Sequence, residues 1–218
     1  LGFASSDNPW QLNMYKGVTP LSHKIYHLHM IILWVCVAIG FVVFVVLFYV
    51  LLKHRRSRGA KSADFHHSTA VEVIWTVIPF LILLVVAIPA TKGVLDINDP
   101  SDPDLNIKIT GYQWKWSYEY LDEGLKFYSN LSTSQDEINN KVPKSRWYLY
   151  DVDKPLVLPI HKKIRFLLTS NDVIHSWYVP ELGVKKDAFP GRVNEAWTII
   201  EKPGVYRGQC TELCGMQH

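Results

Sequence analysis

Two long apolar runs in the first half of the chain contain no charged residue. They cover residues 30–52 and residues 73–91. About 20 apolar residues suffice to cross a bilayer core of roughly 30 Å as an α-helix, and membrane helices tolerate the prolines found in the second run. We therefore expect two transmembrane helices. The alternative for the second run, a buried helix of a soluble protein, is disfavoured because the first run already anchors the chain.

From residue 93 onward the pattern changes to short β-branched and aromatic runs, which Pro, Gly, Asn and Asp interrupt. The predicted strands are residues 106–112, 114–120, 156–159, 163–170, 195–201 and 205–209. Residues 129–146 are polar and are expected to form a long surface loop. Many short strands separated by turn residues predict an all-β Greek-key sandwich or barrel.

The basic residues predict how the chain is oriented. The segment KHRRSRGAK, residues 53–61, separates the two spans, and loops rich in Lys and Arg face the cytoplasm. We expect an N-terminal outer-face segment (1–29), a span (30–52), a cytoplasmic basic loop (53–72), a span (73–91) and a periplasmic β domain (93–218). Both termini would then be periplasmic, on a bacterial inner membrane. The first segment has no basic n-region and is interpreted as a mature N-terminus.

Overall charge says little, but its distribution is informative. The 218-residue chain has a net charge of +3, yet residues 93–218 contain 15 Lys and Arg against 17 Asp and Glu. A nucleic-acid-binding domain concentrates basic charge in its folded part. We therefore expect no nucleic-acid partner.

Cysteine and histidine supply the candidate chemistry. Three cysteines are too few for a disulfide framework, and Cys36 lies within an apolar run, where packing explains it. Cys210, Cys214 and His218 fall within the last nine residues, and His175 is a second candidate imidazole. Thiolate and imidazole ligands select copper or zinc. The spacing fits neither a zinc ribbon nor a thioredoxin-like pair; two thiolates with two imidazoles fit two bridged coppers, and a disulfide is the alternative.

Four motifs resemble one family. They are VEVIWTVIP (71–79), YQWKWSYEY (112–120), DVIHSW (172–177) continuing to DAFPGR (187–192), and GQCTELCGMQH (208–218). In this order, behind two spans, they resemble subunit II of cytochrome c oxidase of the bacterial aa3 type. The resemblance implies a two-helix transmembrane hairpin followed by an all-β cupredoxin-like Greek-key barrel that holds a dinuclear copper A (CuA) centre.

The resemblance also implies the ligands of this centre. Cys210 and Cys214 would bridge both coppers, His175 and His218 would each bind one, and Glu212 would offer its backbone carbonyl. The Glu212 side chain would bind magnesium shared with subunit I. Haem would lie only in the partner subunit. The family's weak methionine ligand lies three residues past the position that matches His218, and Met216 does not match that position.

The implied function is that of an oxidase subunit, an oxidoreductase and translocase component. Trp114 would receive electrons from cytochrome c, and haem in subunit I would then reduce oxygen to water, coupled to proton pumping. Glu72 would mark the entrance of a proton path. The implied partners are subunit I, subunit III, cytochrome c and membrane lipid. Because cytochrome c presents lysines, carboxylates would steer its docking; the candidates are Glu119, Asp122, Glu123, Asp153 and Asp172.

Two other functions share part of this pattern. A quinol oxidase subunit II shares the architecture but lacks the copper ligands, so Cys210, Cys214 and His218 argue against it. A membrane-tethered copper chaperone would have a thioredoxin-like α/β fold and usually one span, so two spans and an all-β domain argue against it.

Overall fold

The computed structural model describes residues 12–59, 61, 66–99 and 101–215. The chain falls into two compact units. One unit is His27–Gly93, and the other joins the chain up to Tyr26 to the chain from Val94 onward. Residues that precede the first apolar run therefore belong to the same unit as the β domain, which the hydropathy pattern did not predict.

The apolar runs lie within two long helices. Helix α1 spans Pro20–Lys53 and α2 spans Thr69–Ile97, with 34 and 29 residues. At 1.5 Å per residue they are about 51 and 44 Å long, more than a hydrocarbon core of roughly 30 Å requires. Their most apolar windows are not buried within the protein. Both helices are thus long and apolar enough to cross a membrane.

A reciprocal cap fixes the start of α1. Thr19 Oγ1 accepts a hydrogen bond from the Ser22 amide at 2.9 Å, and Ser22 Oγ accepts one from the Thr19 amide at 3.0 Å. Such caps satisfy amide groups that have no partner in the first helical turn. Pro20 follows at the first helical position, where its missing N–H costs nothing. Local sequence therefore determines where the helix begins.

The segment just before α1 is bonded into the β domain. The Val18 amide donates to the Glu181 carbonyl at 2.9 Å, and the Glu201 amide donates to the Val18 carbonyl at 2.9 Å. Thr19 Oγ1 also donates to the Leu182 carbonyl at 2.9 Å. Val18 and Thr19 are both buried. N-terminal residues thus complete part of the β domain.

Among the described residues after α2, the structure has eight strands and one short α-helix. They are β1 Leu105–Tyr112, β2 Lys115–Tyr120, β3 Leu125–Asn130, α3 Gln135–Ile138, β4 Lys163–Ser170, β5 His175–Val179, β6 Val184–Ala188, β7 Asn194–Ile199 and β8 Gln209–Cys210. One sheet has the order β3-β2-β1-β4-β7, and the other has the order β6-β5-β8. Strands β1 and β4 pair in parallel, and the other named pairs are antiparallel.

The core follows the alternation of β1 and β4. Every second residue of both strands is buried, as expected when successive side chains point to opposite faces. The fully buried apolar residues are Ile107, Ile109, Ile164, Phe166 and Leu168. Phe166 packs against Trp177 of the second sheet, with ring centroids 5.0 Å apart.

The prediction of an all-β domain is confirmed, but not every predicted strand is. The prediction for 163–170 coincides with β4, and those for 106–112, 114–120 and 195–201 agree with β1, β2 and β7 to within two residues at each end. The predicted strand at 156–159 is wrong, and of 205–209 only Gln209 lies in a strand. Strands β3, β5 and β6 were not predicted.

Proline explains the error at 156–159. Pro155 precedes this run and Pro159 is its last residue, and proline has no N–H to contribute to a strand ladder. Leu156 and Leu158 instead pack against the core from an irregular segment. The strands β5 and β6 are only five residues long, and the sequence VKKDA of β6 gives no apolar alternation.

Candidate metal centre

Strand pairing brings His175 and Cys210 together. His175 is the first residue of β5, and Cys210 is the last residue of β8. The two strands are antiparallel, with Trp177 opposite Cys210, so the start of one lies beside the end of the other. The chain then turns, and four residues after Cys210 it places Cys214 at the same point.

The three candidate ligand atoms form one cluster. Cys210 Sγ lies 3.6 Å from Cys214 Sγ and 4.0 Å from His175 Nδ1, and all three atoms lie within 4.8 Å of one another. The Glu212 carbonyl oxygen is 3.6 Å from Cys210 Sγ. Two sulfurs, an imidazole nitrogen and a carbonyl suit a soft or borderline metal such as copper or zinc. No other such group of three appears among the described residues.

Asp172 determines the orientation of the His175 ring. Asp172 Oδ1 lies 2.7 Å from His175 Nε2, and the imidazole is fully buried. Because an ionised carboxylate can only accept, Nε2 carries the proton and donates it. The lone pair of Nδ1 then faces Cys210 Sγ. This carboxylate–histidine arrangement is typical of the surroundings of protein metal sites.

The backbone of Gly111 makes room for the same ring. A Cβ atom at Gly111 would lie 2.7 Å from His175 Cδ2 and 2.8 Å from His175 Cγ. On another side, the rings of Trp116 and His175 meet edge to face at 5.8 Å. The imidazole is therefore held by strand β1, by Trp116 and by the Asp172 carboxylate.

Burial and hydrogen bonds shift two pKa values at this site. Burial alone would raise the pKa of Asp172, but hydrogen bonds from His175, Gln113 and Val173 hold it below its ordinary value. Burial, and then the hydrogen bond with Cys210, raise the pKa of the Cys214 thiol to about 12. The metal-free Cys214 is therefore protonated at neutral pH, and a metal must displace this proton.

Trp114 lies between the cluster and solvent. Its side chain is 46% exposed, and its Nε1 donates to the Cys214 carbonyl at 2.9 Å. Gln113 Nε2 donates to the same carbonyl, also at 2.9 Å. A Cβ atom at Gly215 would lie 2.5 Å from Trp114 Nε1. The aromatic ring is thus in direct contact with the loop that carries Cys214.

The candidate docking acids do not form one group around Trp114. Glu119 is five residues beyond Trp114, about 16 Å along an extended chain, and its carboxylate lies 3.9 Å from Lys126 Nζ. Asp122 and Glu123 follow in the turn after β2. The structure brings only Asp172 into contact with the candidate ligands.

Asp153 and Asp122 both accept hydrogen bonds from backbone amides. Asp153 accepts from the Asn130 amide at 2.7 Å and from Asn130 Nδ2 at 3.0 Å. These bonds lower the pKa of Asp153. Asp122 Oδ2 accepts from the Asn106 amide at 3.3 Å. Both carboxylates are exposed, so these bonds leave part of each available to a partner.

Glu72 does not belong to this cluster. Glu72 is in the first turn of α2 and is exposed, in the unit formed by His27–Gly93. His218, predicted as a copper ligand, lies outside the described residues.

Sequence reasoning did not single out Gln113, and it assigned Asp172 only to docking. One signal was available for Asp172, because it lies three residues before a candidate metal-binding histidine. A carboxylate that orients such a histidine is common. No comparable signal exists for Gln113, whose partner Cys214 is 101 residues away.

Comparisons with known proteins decide the family. Residues 105–218 match cytochrome c oxidase subunit II, periplasmic domain, and residues 7–92 match the transmembrane domain of the same subunit. The chain belongs to the cytochrome c oxidase subunit II family.

Named relatives agree with this membership. The probable cytochrome c oxidase subunit 2 of Rickettsia felis is 41% identical over 217 residues, covering 99% of this chain and 67% of the relative. The subunit 2 of Cyanidium caldarium is 37% identical over 216 residues, covering 96% of this chain and 83% of the relative. The crystal structure of the periplasmic domain of Bradyrhizobium japonicum cytochrome oxidase subunit II is 43% identical, covers 55% of this chain and 80% of its own, and has a TM-score of 0.48.

Membership confirms the broad predictions. The chain is a subunit of an oxidoreductase complex that works with other oxidase subunits. Its two apolar helices precede a cupredoxin-like β domain, as predicted. The subunit II family carries CuA, and the His175, Cys210 and Cys214 side chains form a group able to hold a metal.

Proposed function

We propose that this chain is the electron-accepting subunit of a cytochrome c oxidase. It would take electrons from cytochrome c at a dinuclear CuA centre and pass them to haem in subunit I. Oxygen would be reduced to water there, coupled to proton pumping. The observation that carries the proposal is the cluster of His175 Nδ1, Cys210 Sγ and Cys214 Sγ within 4.8 Å of one another.

The proposed copper ligands are the three clustered side chains, the Glu212 carbonyl and His218. When bound, the copper pair would supply reversible one-electron chemistry. His175 contributes an imidazole whose tautomer is set by Asp172. Cys210 Sγ and Cys214 Sγ lie 3.6 Å apart, so both thiolates could contribute to the same metal pair. Their thiol protons leave when the metal binds.

Trp114 is the proposed point at which electrons enter. Its ring is half exposed, so a donor protein can contact it. Its Nε1–H also bonds to the Cys214 carbonyl. One hydrogen bond therefore joins the exposed ring to Cys214, and covalent bonds within Cys214 lead on to its candidate bridging sulfur.

A lysine-rich donor would be attracted by carboxylates on this domain. We assign this steering role to Glu119, Asp122, Glu123 and Asp153, which are partly or fully exposed. Glu119, Asp122 and Glu123 lie at the far end of β2 and in the turn after it, which suits long-range attraction. Asp153 lies nearer to Trp114, because it bonds to Asn130, which pairs with Lys115. Such steering weakens as ionic strength rises.

The membrane arrangement completes the proposal. The loop 53–72 would be cytoplasmic, with the β domain and both termini in the periplasm of a bacterial inner membrane. Subunits I and III would cover part of the exposed apolar helices, and lipid the remainder. Glu72 would open a proton path into subunit I. The exposed Glu212 side chain would bind magnesium at the same partner.

Copper binding by the full chain in detergent tests the function. We expect two coppers per chain and a mixed-valence paramagnetic resonance signal delocalised over both nuclei. Cys210→Ser and Cys214→Ser would abolish this signal, because each removes a bridging sulfur. Cys36→Ser is the matched control: Cys36 lies in α1, outside the β unit, and its loss should change neither copper content nor signal. A signal from a single isolated copper in the unaltered chain would refute the binuclear proposal.

A further inference from the structure

The Asp172 carboxylate is engaged on both oxygens. Oδ1 accepts from His175 Nε2 and from the Val173 amide, each at 2.7 Å. Oδ2 accepts from the Gln113 amide at 2.7 Å. The side chain is only 28% exposed. A carboxylate with these partners has little free capacity to accept from a lysine of another protein.

Gln113 connects two parts of the site that are far apart in sequence. Its backbone amide holds Asp172, and through it His175. Its side-chain Nε2 holds the carbonyl of Cys214. Gln113, the residue that follows β1, therefore contacts both the imidazole side and the thiol side of the cluster. Sheet pairing sets the position of Cys210 independently, opposite Trp177.

We propose that Asp172 and Gln113 form a positioning bracket that holds the His175 and Cys214 ligands at metal-binding spacing. Asp172 fixes the Nε2–H tautomer, so that the lone pair of Nδ1 points at the cluster. Gln113 fixes the Cys214 loop against the same corner. This inference deepens the proposed function and rests on it for the identity of the metal, but the bracket itself consists of contacts within the protein.

The bracket differs in its consequences from a docking role. A docking carboxylate contributes charge to the encounter with the donor, so its loss raises KM for cytochrome c and leaves copper intact. A positioning carboxylate acts when no donor is present. Its loss frees the imidazole to adopt either tautomer and lowers metal affinity, typically about 10- to 100-fold for groups that orient a metal ligand.

Asp172→Ala, Asp172→Asn and Gln113→Ala test the bracket, with Glu123→Gln as the matched control. Glu123 is an exposed acid in the turn after β2, so its substitution removes a charge without touching the cluster. Nitrogen chemical shifts of ¹⁵N-histidine-labelled, metal-free full chain report the His175 tautomer, with His175→Gln used for assignment. Copper affinity follows from competition with a chelator, and KM for cytochrome c from the assembled oxidase.

We expect metal-free Asp172→Ala to lose the pure Nε2–H tautomer and to bind copper about 10- to 100-fold more weakly. Asp172→Asn keeps one acceptor for His175 but presents a donor to the Gln113 amide, so its copper affinity should fall less. Gln113→Ala should lose the least copper affinity, because Trp114 still donates to the Cys214 carbonyl. Glu123→Gln should keep both tautomer and affinity.

An unchanged tautomer and copper affinity in Asp172→Ala, with KM raised as in Glu123→Gln, would overturn the bracket and leave Asp172 as a docking acid. The proposed function fails by a different observation, namely that the unaltered chain binds no copper pair. In that case the tautomer measurement still decides whether Asp172 positions His175.

Discussion

The two sides of the candidate metal centre are built in different ways. His175 is fully buried at the start of a five-residue strand and is enclosed by Gly111, Trp116 and Asp172. Cys214 lies on the loop that follows β8, a strand of only two residues. The preceding residue on this loop, Leu213, is 96% exposed.

The imidazole side is held by close packing, whereas the thiol side is held by hydrogen bonds. The imidazole side is fixed by close contacts that leave no room for another atom, so it should be sensitive to added volume. The thiol side is fixed by a few hydrogen bonds, mainly those to the Cys214 carbonyl. It should therefore respond to the loss of individual donors and to pH.

Adding one methyl group on the imidazole side should have the largest effect. In Gly111→Ala the new Cβ would lie 2.7 Å from His175 Cδ2, and a fully buried ring cannot move away. Overpacking of this kind typically costs about 1–3 kcal/mol, and displacement of the imidazole should lower copper affinity as well. Denaturant unfolding and a copper titration measure the two effects.

Thr110→Ala is the neighbouring control on the same strand. Thr110 is not fully buried, and surface changes usually stay within about 0.5 kcal/mol. Equal stability of Gly111→Ala and the unaltered chain would show that the imidazole side is not tightly packed.

On the thiol side, copper affinity should rise with pH. Since the pKa of Cys214 is raised to about 12, the metal-free thiol keeps its proton from neutral pH up to that value. Copper binding releases this proton, so apparent affinity should increase about tenfold per pH unit for each proton released. Competition titrations at several pH values against a chelator of known protonation measure the slope. A flat profile across this range would mean that Cys214 is already a thiolate without metal.

Trp114→Phe should show whether Trp114 takes up electrons or mainly holds the Cys214 loop in place. Phenylalanine keeps an aromatic ring but removes the Nε1–H that bonds to the Cys214 carbonyl. Loss of one hydrogen bond costs about 1 kcal/mol, and Gln113 still donates to the same carbonyl. Copper content should therefore change little, while the rate of electron uptake from cytochrome c falls. Stopped-flow reduction and metal analysis measure both, and a collapse of copper content would instead make Trp114 a structural residue.

Leu213→Ser should have the smallest effect. The side chain is almost fully exposed, so unfolding free energy and copper affinity should remain within about 0.5 kcal/mol of the unaltered chain. Thermal unfolding with and without copper is a sufficient measurement. A larger loss would show that the tip of the thiol loop packs against something in the folded protein.

The same contrast explains what the sequence could predict. Strands β1 and β4 follow from their runs of β-branched and apolar residues, and the ligands His175, Cys210 and Cys214 follow from their chemistry and from the resemblance. The bracket does not, because Gln113 bonds to a backbone carbonyl 101 residues away, and no side-chain pattern encodes such a partner. The run at 156–159 misled the prediction because its leucines pack against the core without joining a sheet.

The hydrogen bonds of Val18 and Thr19 also bear on the order of biosynthesis. These residues precede both apolar runs, whereas Glu181, Leu182 and Glu201, which bond to them, follow both runs and are translated later. The globular part therefore reaches its final shape only after segments on both sides of the two runs have been made. A recombinant fragment that starts at Val94 would lack the buried residues Val18, Thr19, Leu21 and Ser22 of the same unit. It should melt at a lower temperature than the same fold within the intact subunit.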